Sequence, residues 1–216
     1  MRIKERMKKI IFALILLLVS SPAFAAAAHD PAALLQKRYD SIHDMRADFT
    51  QVSVVKAMNM TKKASGVLII KKPGMLRYTY TKPEKEEIIV KGGNLIMYVK
   101  STNQVITKKL SRAFMDKTPT TFLAGMGNIG DSFDVIVPAG SKGRPDFELI
   151  PKGNKMGVEK IYINMDPKGP YIRQFTFVET SGDVNTITLS RVKINRGVKD
   201  SAFDFKIPKG ASLISE

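Results

Sequence analysis

Residues 64–81 run Ala64-Ser65-Gly66-Val67-Leu68-Ile69-Ile70-Lys71-Lys72-Pro73-Gly74-Met75-Leu76-Arg77-Tyr78-Thr79-Tyr80-Thr81. Ala64, Gly66, Leu68 and Ile70 alternate with Ser65, Val67, Ile69 and Lys71, and the same period of two resumes at Met75 beyond the Pro73-Gly74 turn signal. Side chains that alternate between two faces belong to strands, and a Pro-Gly pair between two such runs turns the chain back on itself. This stretch therefore predicts an antiparallel hairpin.

The period persists in both directions. Before it, Ala47, Phe49 and Gln51 oppose Asp48, Thr50 and Val52. After it come Glu87 to Lys91, Leu95 to Val99, Val105 to Lys109, Phe133 to Val137, Phe147 to Pro151, Val158 to Met165, Tyr171 to Glu179 and Val184 to Ile194. Turn residues such as Lys82-Pro83, Gly92-Gly93-Asn94 and Asp166-Pro167-Lys168-Gly169 separate them. The count is about eleven strands. Spacing this short favours antiparallel meandering over helix-bridged parallel pairing.

Two stretches break the period. Asp30-Pro31 is an N-cap acceptor followed by proline at the first helical position, and Leu35, Tyr39, Ile42 and Met45 recur at helical spacing, predicting a helix from Pro31 to about Asp44. Leu110 to Gly130 reads as a helical insert. A sheet of so many strands curls, and helices over its concave side would enclose an apolar space. Both a filled and a hollow interior are consistent with this pattern.

The first 25 residues predict export. Arg2, Lys4, Arg6, Lys8 and Lys9 precede the apolar run Ile10 to Val19, and Ala23-Phe24-Ala25 is a small-x-small cleavage site. Residues 26–216 are expected as one domain. Of the formal charge of +15 over 216 residues, the leader holds five basic residues and one acidic, leaving +11. The lysine clusters Lys62-Lys63, Lys71-Lys72, Lys82 with Lys85, and Lys108-Lys109 with Arg112 lie at strand ends. There they suit a solvated edge or an anionic partner such as lipid headgroups or an acidic protein. Nucleic acid is not expected outside the inner membrane. Cysteine is absent, excluding disulfides, thiolate metal sites and a cysteine nucleophile.

Motifs for catalysis fail on context. Gly125-Met126-Gly127-Asn128-Ile129-Gly130 spells a dinucleotide-binding pattern but precedes a strand instead of following one, so a loop is expected. Ser53-Val54-Val55-Lys56 lies in a strand and lacks a Lys-Thr-Gly partner. His29 and His43 have no metal or nucleophile partner in view, and Glu84, Glu86 and Glu87 read as solvated turn acids. No enzyme, cofactor or metal is expected.

Phe49-Thr50-Gln51, the hairpin from Gly66 to Tyr80 with Pro83 after it, Ile89-Val90, Gly93, Tyr98, Gln104-Val105 and Phe203-Asp204-Phe205-Lys206-Ile207-Pro208-Lys209-Gly210 together resemble the periplasmic outer-membrane lipoprotein carrier family, the LolA type. The resemblance implies a mainly β, half-open antiparallel barrel with a helical lid over an apolar cavity. It also implies a monomeric, periplasmic chaperone that takes acylated lipoproteins from an inner-membrane ABC transporter and delivers them to an outer-membrane acceptor. On this basis Phe49, Leu68, Ile70, Leu76, Tyr78, Tyr80, Ile89 and Met97 are expected along the cavity, with plain sheet packing the rival role for Leu76, Tyr78 and Tyr80. Phe114, Met115, Phe122, Leu123 and Met126 are expected in the lid. The family's lid-latching arginine before the strand-ending proline is replaced by Lys72, with Arg77 as a second candidate for that task. Tryptophan, frequent on the family's barrel-facing strands, is absent, and Ile69, Tyr78 and Met97 stand near those places. A lipid or lipoprotein sensor on the same half-barrel, and a basic module binding acidic polymers, are the rival functions.

Overall fold

The computed structural model describes residues 30–110, 128–140, 145–153 and 157–215. The leader and the expected lid residues Phe114, Met115, Phe122, Leu123 and Met126 lie outside these. Helix α1 spans Pro31–Asp40 and leads into β1 (Asp44–Val55), β2 (Met60–Lys71), β3 (Met75–Lys82), β4 (Glu86–Lys91), β5 (Asn94–Val99) and β6 (Gln104–Lys109). A one-turn helix α2 (Ile129–Ser132) precedes β7 (Phe133–Ile136), β8 (Phe147–Pro151), β9 (Val158–Met165), β10 (Ile172–Glu179), β11 (Val184–Ile194) and a short β12 (Ser212–Ser215).

All of these strands form one sheet, ordered β12-β6-β5-β4-β3-β2-β1-β11-β10-β9-β8-β7. Neighbours β1 to β11 pair antiparallel, with β1 closing onto β11 at its side away from β2. β12 is the exception, running parallel to β6 from Ser212 opposite Gln104 to Ser215 opposite Thr107. The two edges, β7 and β12, do not pair with one another, so the barrel is incomplete.

One face carries the main core. Residues that face one another across the ladders share a side, and this parity links Ala47, Leu68 and Tyr78, then Phe175 with Ile163 and Phe177 with Ile161. These belong to a single buried cluster that runs from Val90 and Leu110 at one end to Phe133, Phe147 and Leu149 at the other. Phe49 packs edge-on against Tyr78 and Tyr80, with ring centroids 5.3 and 5.0 Å away. Gly66, opposite Phe49 in β2, leaves the room this requires.

Among the described residues, the other face is covered only in part. A strap formed by residues 196–211 crosses it after β11 and ends by feeding β12. Phe203, fully buried on a 3-10 turn over Asp200–Phe203, packs there with Ile69 and Ile89. Arg77 holds this strap by donating to the carbonyls of Ala202 at 3.0 Å and Asp204 at 3.2 Å, while also pairing with Glu87. Lys71 pairs with Asp200 and Lys91 with Asp204, each at 2.5 Å.

The described residues contain twelve strands, in keeping with the expected count of about eleven, with β12 the added one. Two other expectations need correction. Helix α1 ends at Asp40, not near Asp44: Ile42 and Met45, which continue its spacing, are buried at the entry to β1. The tail of the expected glycine loop, Ile129-Gly130, begins α2, with the Asn128 side chain accepting from the Gly130 amide at 2.8 Å.

Candidate functional site

Helix α1 roofs the apolar face at the end of the sheet where β1 begins and β2 ends. Its start is built as its sequence requires, with Asp30 Oδ1 accepting from the Ala32 amide at 2.9 Å and proline at the first turn. Leu35 points down and is fully buried. Sideways, α1 packs on α2 and β7, and the Ile129 amide donates to Gln36 Oε1 at 2.8 Å.

The far end of α1 is tied to three strands. Asn195, in the left-handed region at φ 53°, accepts from the His43 amide at 2.8 Å and donates from Nδ2 to the Ser41 carbonyl at 2.8 Å. The buried Asp44 carboxylate accepts from the amides of Arg196 and Gly197 at 2.9 and 3.0 Å. The Lys72 amide donates to the His43 carbonyl at 2.9 Å. Lys72 Nζ donates to the Tyr39 carbonyl and lies 3.1 Å from the centre of the Tyr39 ring.

Beneath α1 is an apolar pocket lined by Leu35, Tyr39, Ile42, Ile70, Lys72 and Phe175 among others, about 440 Å³ with its open mouth included. The room inside for water-sized bodies is only about 30 Å³. That accommodates a water or two and no acyl chain, so α1 is seated on the sheet in a closed arrangement.

Burial lowers Lys72 to about 8, the Asp40 carboxylate opposing that shift. The folded chain therefore releases this proton near pH 8, while an unfolded lysine holds it to 10.5. Between those values the unfolded chain binds more protons, so Lys72 makes stability rise with pH. Arginine stays charged throughout. Lys72→Arg is accordingly expected to remove this rise, read as urea midpoints at about pH 7.5 and 9.5 for both proteins. Equal changes in the two would show that Lys72 does not titrate in this window.

The expected cavity residues divide by face. Phe49, Leu68, Ile70, Leu76, Tyr78 and Tyr80 lie together on the α1 side, Tyr80 donating to Gln51 Oε1 at 3.0 Å. Met97 shares that side through its pairing with Ile88. Ile89 instead lies on the strap side with Ile69 and Phe203. Lys72 grips α1, whereas Arg77 is on the opposite face holding the strap. Residues not assigned to the cavity from the sequence also line the pocket: Leu35, Tyr39, Ile42, Met45, Met165, Pro170, Ile172, Phe175 and Leu189. Their signal is the helical stripe that runs from α1 into β1 and the period-two runs of β9, β10 and β11. Ser53 reaches Asn185 Oδ1 at 3.4 Å, with Lys56 beyond the strand's end. Among the described residues, no group of three or more His, Asp or Glu side chains could hold a metal ion.

An open sheet whose apolar face is roofed by a short, side-chain-latched helix is a half-barrel suited to holding apolar groups. A family model described as outer membrane lipoprotein carrier protein LolA matches residues 40–206. The chain belongs to that family. An outer-membrane lipoprotein carrier protein of Methylobacillus flagellatus is 26% identical over 182 residues, covering 84% of this chain and 87% of its own. One from Cupriavidus pinatubonensis is 29% identical over 211 residues, covering 93% and 98%. Among solved structures, an uncharacterized conserved protein from Thermus thermophilus shares the fold at a TM-score of 0.54 with 12% identity, covering 86% of this chain and 99% of that one.

Proposed function

We propose that this periplasmic, non-enzymatic chaperone carries lipoproteins by sheltering their acyl chains against the inner face of the half-barrel. The observation that carries this reading is the continuous apolar face under α1, with a pocket between helix and sheet. A methylene is worth about 0.8 kcal/mol when buried, so a lipid anchor of several long chains does not cross water unshielded. Loading beneath α1 requires the helix to lift, because that pocket has no room for a chain.

The latch is suited to that. Lys72 contributes a point charge and rotating donors where an arginine would present a rigid fork. Lifting α1 would open the way to Phe49, Leu68, Ile70, Leu76, Tyr78, Tyr80 and Met97 as deeper lining, with Phe114, Met115, Phe122, Leu123 and Met126 as further cover. Residues 26–216 would act as one unit after cleavage at residue 25. An inner-membrane ABC transporter would supply the cargo and an outer-membrane acceptor would receive it.

Copurification with a triacylated lipoprotein, compared with its unacylated form, tests the reading. Capture of the acylated form alone, resistant to salt and dependent on acyl length, is the expected result. Equal capture of both forms would remove the acyl chains from recognition.

A further inference from the structure

The β1–β2 hairpin combines exposed apolar side chains with lysines that pair with no described residue, and the carrier reading proposed above assigns it no part. β2 is paired with β3 only from Ser65, opposite Lys82, so Met60 to Ala64 project past that neighbour. At the tip Val54 is 40% exposed, Met58 67% and Met60 42%. Val54 opposes Thr61 on one side of the ribbon, Met60 opposes Val55 on the other, and Met58 stands on the turn between them. The tip is thus apolar on both flanks.

The charged side chains that the tip itself carries are all lysines. Lys56, Lys62 and Lys63 are exposed and form no ion pair with a described residue. Between Asp48 and Glu84 the chain has no acidic residue. One acid from the β10–β11 turn, Asp183, reaches the tip and accepts from the Lys56 amide at 2.9 Å. The adjoining β3–β4 turn mixes Lys82 and Lys85 with Glu84 and Glu86, so the lysine-only stretch is confined to the hairpin.

We propose that the β1–β2 hairpin tip is a docking element for an anionic phospholipid surface, with Met58, Val54 and Met60 entering between headgroups and Lys56, Lys62 and Lys63 meeting their phosphates. Shape and size favour a bilayer over a protein partner. A two-stranded tip offers a handful of side chains, well short of the roughly 1,000 Å² that a specific protein interface needs. A wedge with apolar flanks on both sides fits between lipids, whereas a protein surface would meet one side. Lysines near an anionic membrane contribute about fivefold in affinity each, and methionine adapts to irregular apolar surroundings. Docking of this kind would be reversible and salt-sensitive.

The test uses the mature chain without cargo, so its result is independent of the carrier reading. Flotation with vesicles of phosphatidylcholine alone and of phosphatidylcholine with phosphatidylglycerol should show association with the second only, weakening as salt rises. Lys62→Ser with Lys63→Ser should lower that association roughly twentyfold, and Met58→Asp at least tenfold. Lys168→Ser, in the β9–β10 turn at the other end of the sheet, should change it less than twofold. Melting temperatures should be unchanged throughout, because the tip side chains support no core. The proposal is overturned if the wild-type chain ignores anionic vesicles or if the tip variants float as it does. It is equally overturned if those variants keep vesicle binding while losing a detergent-solubilised membrane protein, which would make the tip a protein-docking surface.

Discussion

A chain carrying Ala32→Cys and Gly130→Cys is expected to close a disulfide between α1 and α2 and, once oxidised, to take up acylated lipoprotein at least tenfold more slowly than its reduced form. A Cβ built on Gly130 lies 3.6 Å from Ala32 Cβ, within the roughly 3.5–4.5 Å that disulfides span. The natural sequence has no cysteine to compete. Because the space under α1 is too small for an acyl chain, fastening the helix to its neighbour should block loading. Dithiothreitol should restore uptake, which separates locking from damage. Oxidised protein that loads as fast as reduced protein would mean that cargo enters without moving α1.

Gly66→Ala is expected to be the most damaging single methyl addition to the sheet. A Cβ at Gly66 would sit 2.0 Å from the Thr79 carbonyl oxygen and 2.9 Å from Phe49 Cε1. The first contact is backbone in the neighbouring strand and cannot rotate away. The ladder already shifts register between Ser65 and Gly66, so β2 and β3 would have to separate where Phe49, Tyr78 and Tyr80 interlock. Overpacking usually costs about 1–3 kcal/mol, and a clash this deep should exceed about 3 kcal/mol. Urea unfolding measures it, and a loss below about 1 kcal/mol would show that the strands part easily there.

How much of this was legible depends on what alternation encodes. Period two marks a strand wherever one face is buried, and strands β1 to β11 were read from it to within a few residues. β12 escaped because Ser212–Ser215 is exposed at every position and offers no contrast between faces. Its pairing with β6 depends on where the strap delivers it. The helix was overextended because Ile42 and Met45 are apolar for the sake of the sheet yet fall at helical spacing.

Alternation also specifies two faces without saying which is inward. β4 is apolar at Ile88, Ile89 and Val90, so either phase is admissible. The structure places Ile88 and Val90 with the main core and Ile89 against Phe203, because the strap gives the outer side a small core of its own. The same geometry sends Arg77 to the strap and Lys72 to α1, although both flank the Pro73-Gly74 turn.

The sequence by itself determined the antiparallel succession of strands, the capped start of α1, the family resemblance and the lysine before Pro73. These rest on neighbours a few residues apart, where backbone preference and turn chemistry act. Only the tertiary structure decided which face α1 covers, how little room lies beneath it and that Lys72 grips the Tyr39 carbonyl. Those depend on groups brought together from distant parts of the chain, whose meeting is set by strand register and by the path of the strap.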